Sequence, residues 1–122
     1  MSKHEQLQSA LERLSQAIPG LKGSLLGTLD GMPIAQAIND QSVDSARVAA
    51  MAATAIGVSR RITESLRTGQ VLEMSLLATE GRIFIYLVGT KACLALIAPK
   101  DSNVGLIKIE TSDTVEQLEN IL

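Results

Sequence analysis

Aromatic residues are almost absent from this chain. Among 122 residues there is one Phe (Phe84), one Tyr (Tyr86) and no Trp. No row of rings is available for bases to stack on, and no stretch concentrates Lys or Arg, so a nucleic-acid partner is not expected. The interior must instead be built from Leu, Ile, Val, Met and Ala. Cysteine is limited to Cys93, inside an apolar run, which excludes an internal disulfide and a thiolate metal site. A lone cysteine also fits a reducing compartment. His4 is the only histidine and sits in a polar first turn, so no histidine set can hold zinc, and it reads as a surface residue. Neither a GxxxxGK[ST] loop nor a GxGxxG after a strand is present, so the chain is not expected to bind GTP itself. No continuous apolar run approaches the roughly 20 residues that span a bilayer. The stretch after Met1 is polar and lacks the apolar core of a secretion signal. A cytoplasmic protein without membrane insertion, cofactor or metal is expected, folded as one domain over residues 1–122.

What is present is a well-punctuated series of amphipathic elements. Ser2 and Glu5 have the spacing of a capping box, and Leu7, Leu11, Leu14 and Ile18 follow at helical intervals until Pro19-Gly20. The spacing predicts a helix over 3–18. Two apolar runs, 23–29 and 32–38, flank Asp30-Gly31, a two-residue hairpin signal. Pro33 has no amide donor, so the second strand should lie at a sheet edge. Ser42 can cap a long helix with Asp44 in its first turn, running to about Thr68 before Gly69 stops it. Such a helix would be roughly 40 Å long, more than a small sheet needs.

Three strands are expected next: 71–78, then 82–88 after a turn at Glu80-Gly81, then 92–98 after Gly89-Thr90-Lys91. In the last of them Leu94, Leu96 and Ala98 share one face and Cys93, Ala95 and Ile97 the other, so both faces look covered. Pro99 to Ser102 leads into a final helix with a stripe of Val104, Ile107, Thr111, Val115, Leu118 and Leu122. The order is α-β-β-α-β-β-β-α, an α/β class of sandwich type.

The middle helix carries two apolar stripes. Val48, Met51, Ala55, Val58, Ile62 and Leu66 form a bulky one, suited to cover a sheet. Ala46, Ala49, Ala50, Ala53, Ile56 and Gly57 form a second that is nearly all small. Small residues let backbones approach closely, so this stripe is expected to meet the same helix of a second copy across a two-fold axis. Gly57 inside a helix costs about 1 kcal/mol against Ala and wants a packing reason. The alternative is that alanine serves helix propensity on an exposed face. Leu72, Met74 and Leu76 alternate along the next strand, which could pair with its own mate or only within its subunit.

This order of elements resembles the roadblock/LC7 family. The resemblance is carried by Leu29-Asp30-Gly31-Met32-Pro33-Ile34-Ala35, the Ala-rich middle helix, the Glu80-Gly81-Arg82 turn and Asn103-Val104-Gly105-Leu106 opening the last helix. It implies a five-stranded antiparallel sheet with the middle helix on one face and the terminal helices on the other. It also implies a homodimer made by the middle helices and third strands. Members resemble partners of small Ras-like GTPases, some of them activators, or dynein light chains and other passive scaffolds. No catalytic residue is implied, and an enzyme is not expected. The partner-binding candidates are Arg47, Arg60, Arg61, Glu64 and Arg67 on the middle helix. An arginine inserted into a GTPase site can stabilise transition-state charge, but arginines on a regular helix with acids nearby read better as a docking rim.

Overall fold

The computed structural model describes residues 1–122. Its elements are α1 (Lys3–Ala17), β1 (Gly23–Thr28), β2 (Pro33–Ile38), α2 (Ser45–Ser65), β3 (Glu73–Ala78), β4 (Gly81–Val88), β5 (Ala92–Ala98) and α3 (Val104–Ile121). The α-β-β-α-β-β-β-α order is the one expected. All four strand pairings are antiparallel, and the sheet runs β2-β1-β5-β4-β3. Pro33 therefore opens an edge strand, where its missing N–H costs no ladder bond. The other edge is β3.

The sheet divides two cores. On one face α1 and α3 bury Leu7, Leu11, Leu14, Ile107 and Leu118 against Phe84, Leu94 and Leu96. On the other, α2 brings Ala52 and Ile56 onto Ile85, Cys93 and Ala95. The alternation along β5 thus feeds one core with Leu94, Leu96 and Ala98 and the other with Cys93 and Ala95. Burial pushes the Cys93 thiol pKa up, which keeps it protonated and inert, as befits a small core residue.

Helix ends follow cap chemistry. The α1 capping box closes with the Glu5 amide donating to Ser2 Oγ at 3.1 Å and the Ser2 amide donating to Glu5 Oε1 at 3.4 Å. At α2 the cap is Asp44 rather than the expected Ser42: its Oδ1 accepts from the amides of Ala46 and Arg47 at 3.0 and 3.4 Å. Ser42 is engaged elsewhere, its amide and hydroxyl both donating to Asp40 Oδ1. The helix also ends earlier than Gly69. Its cap is Leu66, and Arg67 takes the left-handed turn at φ 56°. The Arg67 amide donates to Glu64 O and the Thr68 amide to Thr63 O, a Schellman closure normally given to glycine. At 21 residues α2 is about 31 Å long, shorter than the expected 40 Å.

The first hairpin is also looser than the two-residue turn expected at Asp30-Gly31. Only Gly31 has positive φ, at 97°, and the register slips between Leu26 and Gly27 so that Gly27 faces Pro33. The loop is closed by the Thr28 amide donating to Met32 O and the Met32 amide to Thr28 Oγ1. Gly27 and Gly31 share a consequence for packing. A Cβ on Gly27 would lie 3.5 Å from Ala49 Cβ and 3.2 Å from Met32 O, and one on Gly31 would lie 3.5 Å from Ala50 Cα. These two glycines let α2 sit close on β1 and its turn, and that closeness is what the alanines of α2 answer.

Candidate binding surface

The close seat of α2 divides its two stripes differently from the expectation. Ala49 and Ile56, taken as interface candidates, are 0% and 1% exposed within the single chain and face its own sheet, so neither is free to meet a partner. Ala53 is half-buried beside them, while Ala46, Ala50 and Gly57 lie exposed on the outer flank. Of the bulky stripe expected to cover the sheet, only Val48 and Ala55 pack against it. Met51 is 57% exposed and Ile62 52%, and Val58 and Leu66 stand in solvent with them. Part of the reason is space: where α2 crosses β1 and its turn there is room only for Ala49 and Ala50, and the one large side chain fully buried beneath the helix is Ile56, farther along. Gly57 has no packing role inside the chain, since nothing lies within 4 Å of where its Cβ would be. Gly57→Ala is therefore expected to stabilise the fold by about 1 kcal/mol, read as a shift of the denaturant midpoint at unchanged slope.

The exposed flank of α2 continues onto uncovered sheet. Not one of the six side chains of β3 is buried. Met74 packs beside the Ile56–Ile85 core and Ser59 Oγ donates to its sulfur at 3.3 Å, so Met74, Leu72 and Leu76 belong to the α2 face. Leu72 is 78% exposed, and Leu76, its neighbour Ile83 on β4, Val58 and Ile62 extend one apolar region to the free edge of β3. The bulky flank and Ile83 were not among the interface residues expected from sequence. The strand residues Leu72, Met74 and Leu76 were, and all three lie at this edge. Contiguous apolar regions left in water are uncommon on single-chain surfaces.

The arginines of α2 spread over two sides of it. Arg47 and Arg61 project away from the sheet, by helical spacing on the side of exposed Thr54. Arg60 and Glu64 instead line a hollow of about 310 Å³ with Thr63, Gly69, Gln70, Val71, Leu87, Gly89 and Thr90. Arg67 stands on the connection to β3. The only arginine side chain that donates a hydrogen bond is Arg13, to Gln117, so the four on and after α2 are uncommitted. Against them the stretch 45–67 carries one acid, Glu64, giving +3 in a chain whose net charge is -2 and leaving -5 elsewhere. The helix is the basic feature of an acidic protein.

No group of three His, Cys, Asp or Glu residues is placed to hold a metal ion, and no helix is long and apolar enough to cross a membrane. The one strongly perturbed group near the surface is Tyr86, whose pKa is pushed up to about 12 by burial and by the charge of Glu73. Folding thus favours the protonated phenol. That stability is fully present below pH 10 and is lost as the pH rises through about 12. Titrating the ultraviolet absorbance of this single tyrosine should show the displaced midpoint, and Tyr86→Phe should remove the corresponding part of the alkaline fall in Tm.

These features define a class of protein: an α/β/α domain with an uncovered apolar face beside a basic helix. The chain belongs to the Roadblock/LC7 domain family, whose model matches residues 7–98. This is a family of regulatory and adaptor domains. Among solved structures the chain resembles Myxococcus xanthus MglB, at TM-score 0.91 and 16% identity over 99% of this chain and 90% of that one. It resembles the gliding protein MglB of Thermus thermophilus at 0.87 and 16%, over 99% and 91%. A Roadblock/LC7 domain from Streptomyces avermitilis matches at 0.87 and 18%, over 93% and 94%. No curated protein matches in sequence.

Proposed function

We propose that the chain is a homodimeric, non-catalytic module of the cytoplasm that docks a small Ras-like GTPase and regulates it. The observation that carries this reading is the apolar region running from the α2 flank to the free β3 edge, bordered by uncommitted arginines. In the dimer, the two β3 edges pair antiparallel about a two-fold axis, and each α2 flank covers sheet that the other subunit leaves open. Met51, Val58, Ile62, Leu66, Leu72, Met74, Leu76 and Ile83 form that interface. Ala46, Ala50, Ala53 and Gly57 then border the outer surface of the paired helices. With Arg47, Arg61 and, at its ends, Arg60, Glu64 and Arg67, they form the docking face for the GTPase. The family assignment and the likeness to MglB support this reading. One solved structure similar to this chain is of MglB in a tetrameric arrangement, which agrees with self-association.

Light scattering of the purified chain with a Ras-like GTPase from the same genome tests the reading. A complex heavier than the dimer, formed with a non-hydrolysable GTP analogue and not with GDP, is the expected result. A complex that forms in both nucleotide states would make the protein a passive scaffold instead. A chain that is monomeric at all concentrations would end the homodimer reading.

A further inference from the structure

The second half of α2 and the strand after it are weakly held by their own subunit. From Arg60 to Ala78 the only buried side chain is Val71. The hydrogen bonds of the last turns are local: Thr63 Oγ1 donates to Arg60 O and Thr68 Oγ1 to Thr63 O. The helix closes on Arg67 in a left-handed turn that a side chain disfavours, and Gly69 follows at φ 93°. The strand β3 hydrogen-bonds to β4 and has no neighbour beyond. Meanwhile Ile62, Leu66, Leu72, Leu76 and Leu77 are exposed. Helical turns without a buried face are marginal in water, and an edge strand whose one core contact is the half-buried Met74 adds little.

We propose that residues 60–78 become ordered only when a second copy covers them, so that folding of this unit and association are one step. The inference rests on the homodimer reading above. The first half of α2 is anchored through Ala49, Ala52 and Ile56, and its second half waits for the partner. The coupling has a regulatory consequence. A protein that grips the ordered arginines of this stretch tightens the dimer by the same factor by which dimerisation tightens its own binding.

Hydrogen exchange on the full chain, with the mass measured on the same samples, tests this. The chain is compared above and below its dissociation midpoint, and as Val58→Glu, a change at an exposed helix position that leaves the monomer core intact. In the monomer, amides of 60–78 should exchange on the order of a hundredfold faster than in the dimer, while those of β1 and β5 keep their protection. A monomer that retains protection over 60–78 overturns the coupling while leaving the dimer standing. Loss of protection throughout the chain overturns it also, since the unit would then not be separable. A chain that never dimerises removes both readings, and the mass alone reports that.

Discussion

Ile62→Glu is expected to turn the dimer into a monomer. Ile62 is half exposed in the single chain, so the monomer tolerates glutamate there, and the helix propensity of the position improves. At the proposed interface the same carboxylate would be desolvated with no partner. A buried uncompensated charge costs about 3 kcal/mol, and the two-fold axis introduces it twice. The sum, about 6 kcal/mol, is about four orders of magnitude in Kd. Ala46→Glu is the matched control. It lies on the opposite flank of α2, exposed, and its variant should keep the dimer mass. Sedimentation equilibrium distinguishes the two. The opposite pattern, a dimer surviving Ile62→Glu and lost in Ala46→Glu, would return the interface to the small-residue stripe.

The stripes of α2 are split between core and surface for a reason that periodicity does not carry. Periodicity reports which residues share a face, not how much room that face has. The bulky residues of α2 look suited to the sheet because large apolar side chains usually go inside. What decides otherwise is Gly27, a glycine within a strand, together with Gly31 in the turn: they bring the backbone of the first hairpin up against Ala49 and Ala50. A strand glycine is a legible signal of close approach, and joined to the alanines of α2 it places Ala49 inward.

The helix ends show the same competition at smaller scale. Ser42 and Asp44 are both good caps, and the Asp40 turn captures Ser42 first. At the other end Gly69 is the natural stop, but the chain turns at Arg67, two residues earlier. Element order, sheet edges and the core beneath α1 and α3 were legible because alternation in β5 and the 3.6-residue stripes of α1 and α3 are each satisfied by a single arrangement. The docking residues were less legible. No chemistry fixes them, and only the exposure left by packing shows which apolar side chains still need a cover.

Reversing Arg47 and Arg61 together to glutamate is expected to weaken GTPase binding without changing the dimer. Both side chains project away from the sheet and neither donates a hydrogen bond within the chain, so their loss costs the fold little. Each is a rim charge worth about 0.5–1 kcal/mol against an acidic surface, and reversal turns that attraction into repulsion of similar size. Two positions then amount to about 3 kcal/mol, about two orders of magnitude in Kd by isothermal titration. The effect should shrink as salt is raised, because the charges are exposed and screened. Hydrolysis measured at saturating concentrations separates docking from chemistry. An arginine that entered the nucleotide site would cost on the order of a thousandfold or more in rate when removed. Arginines that only dock would leave the saturated rate unchanged while the concentration needed to reach it rises. An unchanged affinity in the double variant would show that the solvent face of α2 is not where the GTPase sits.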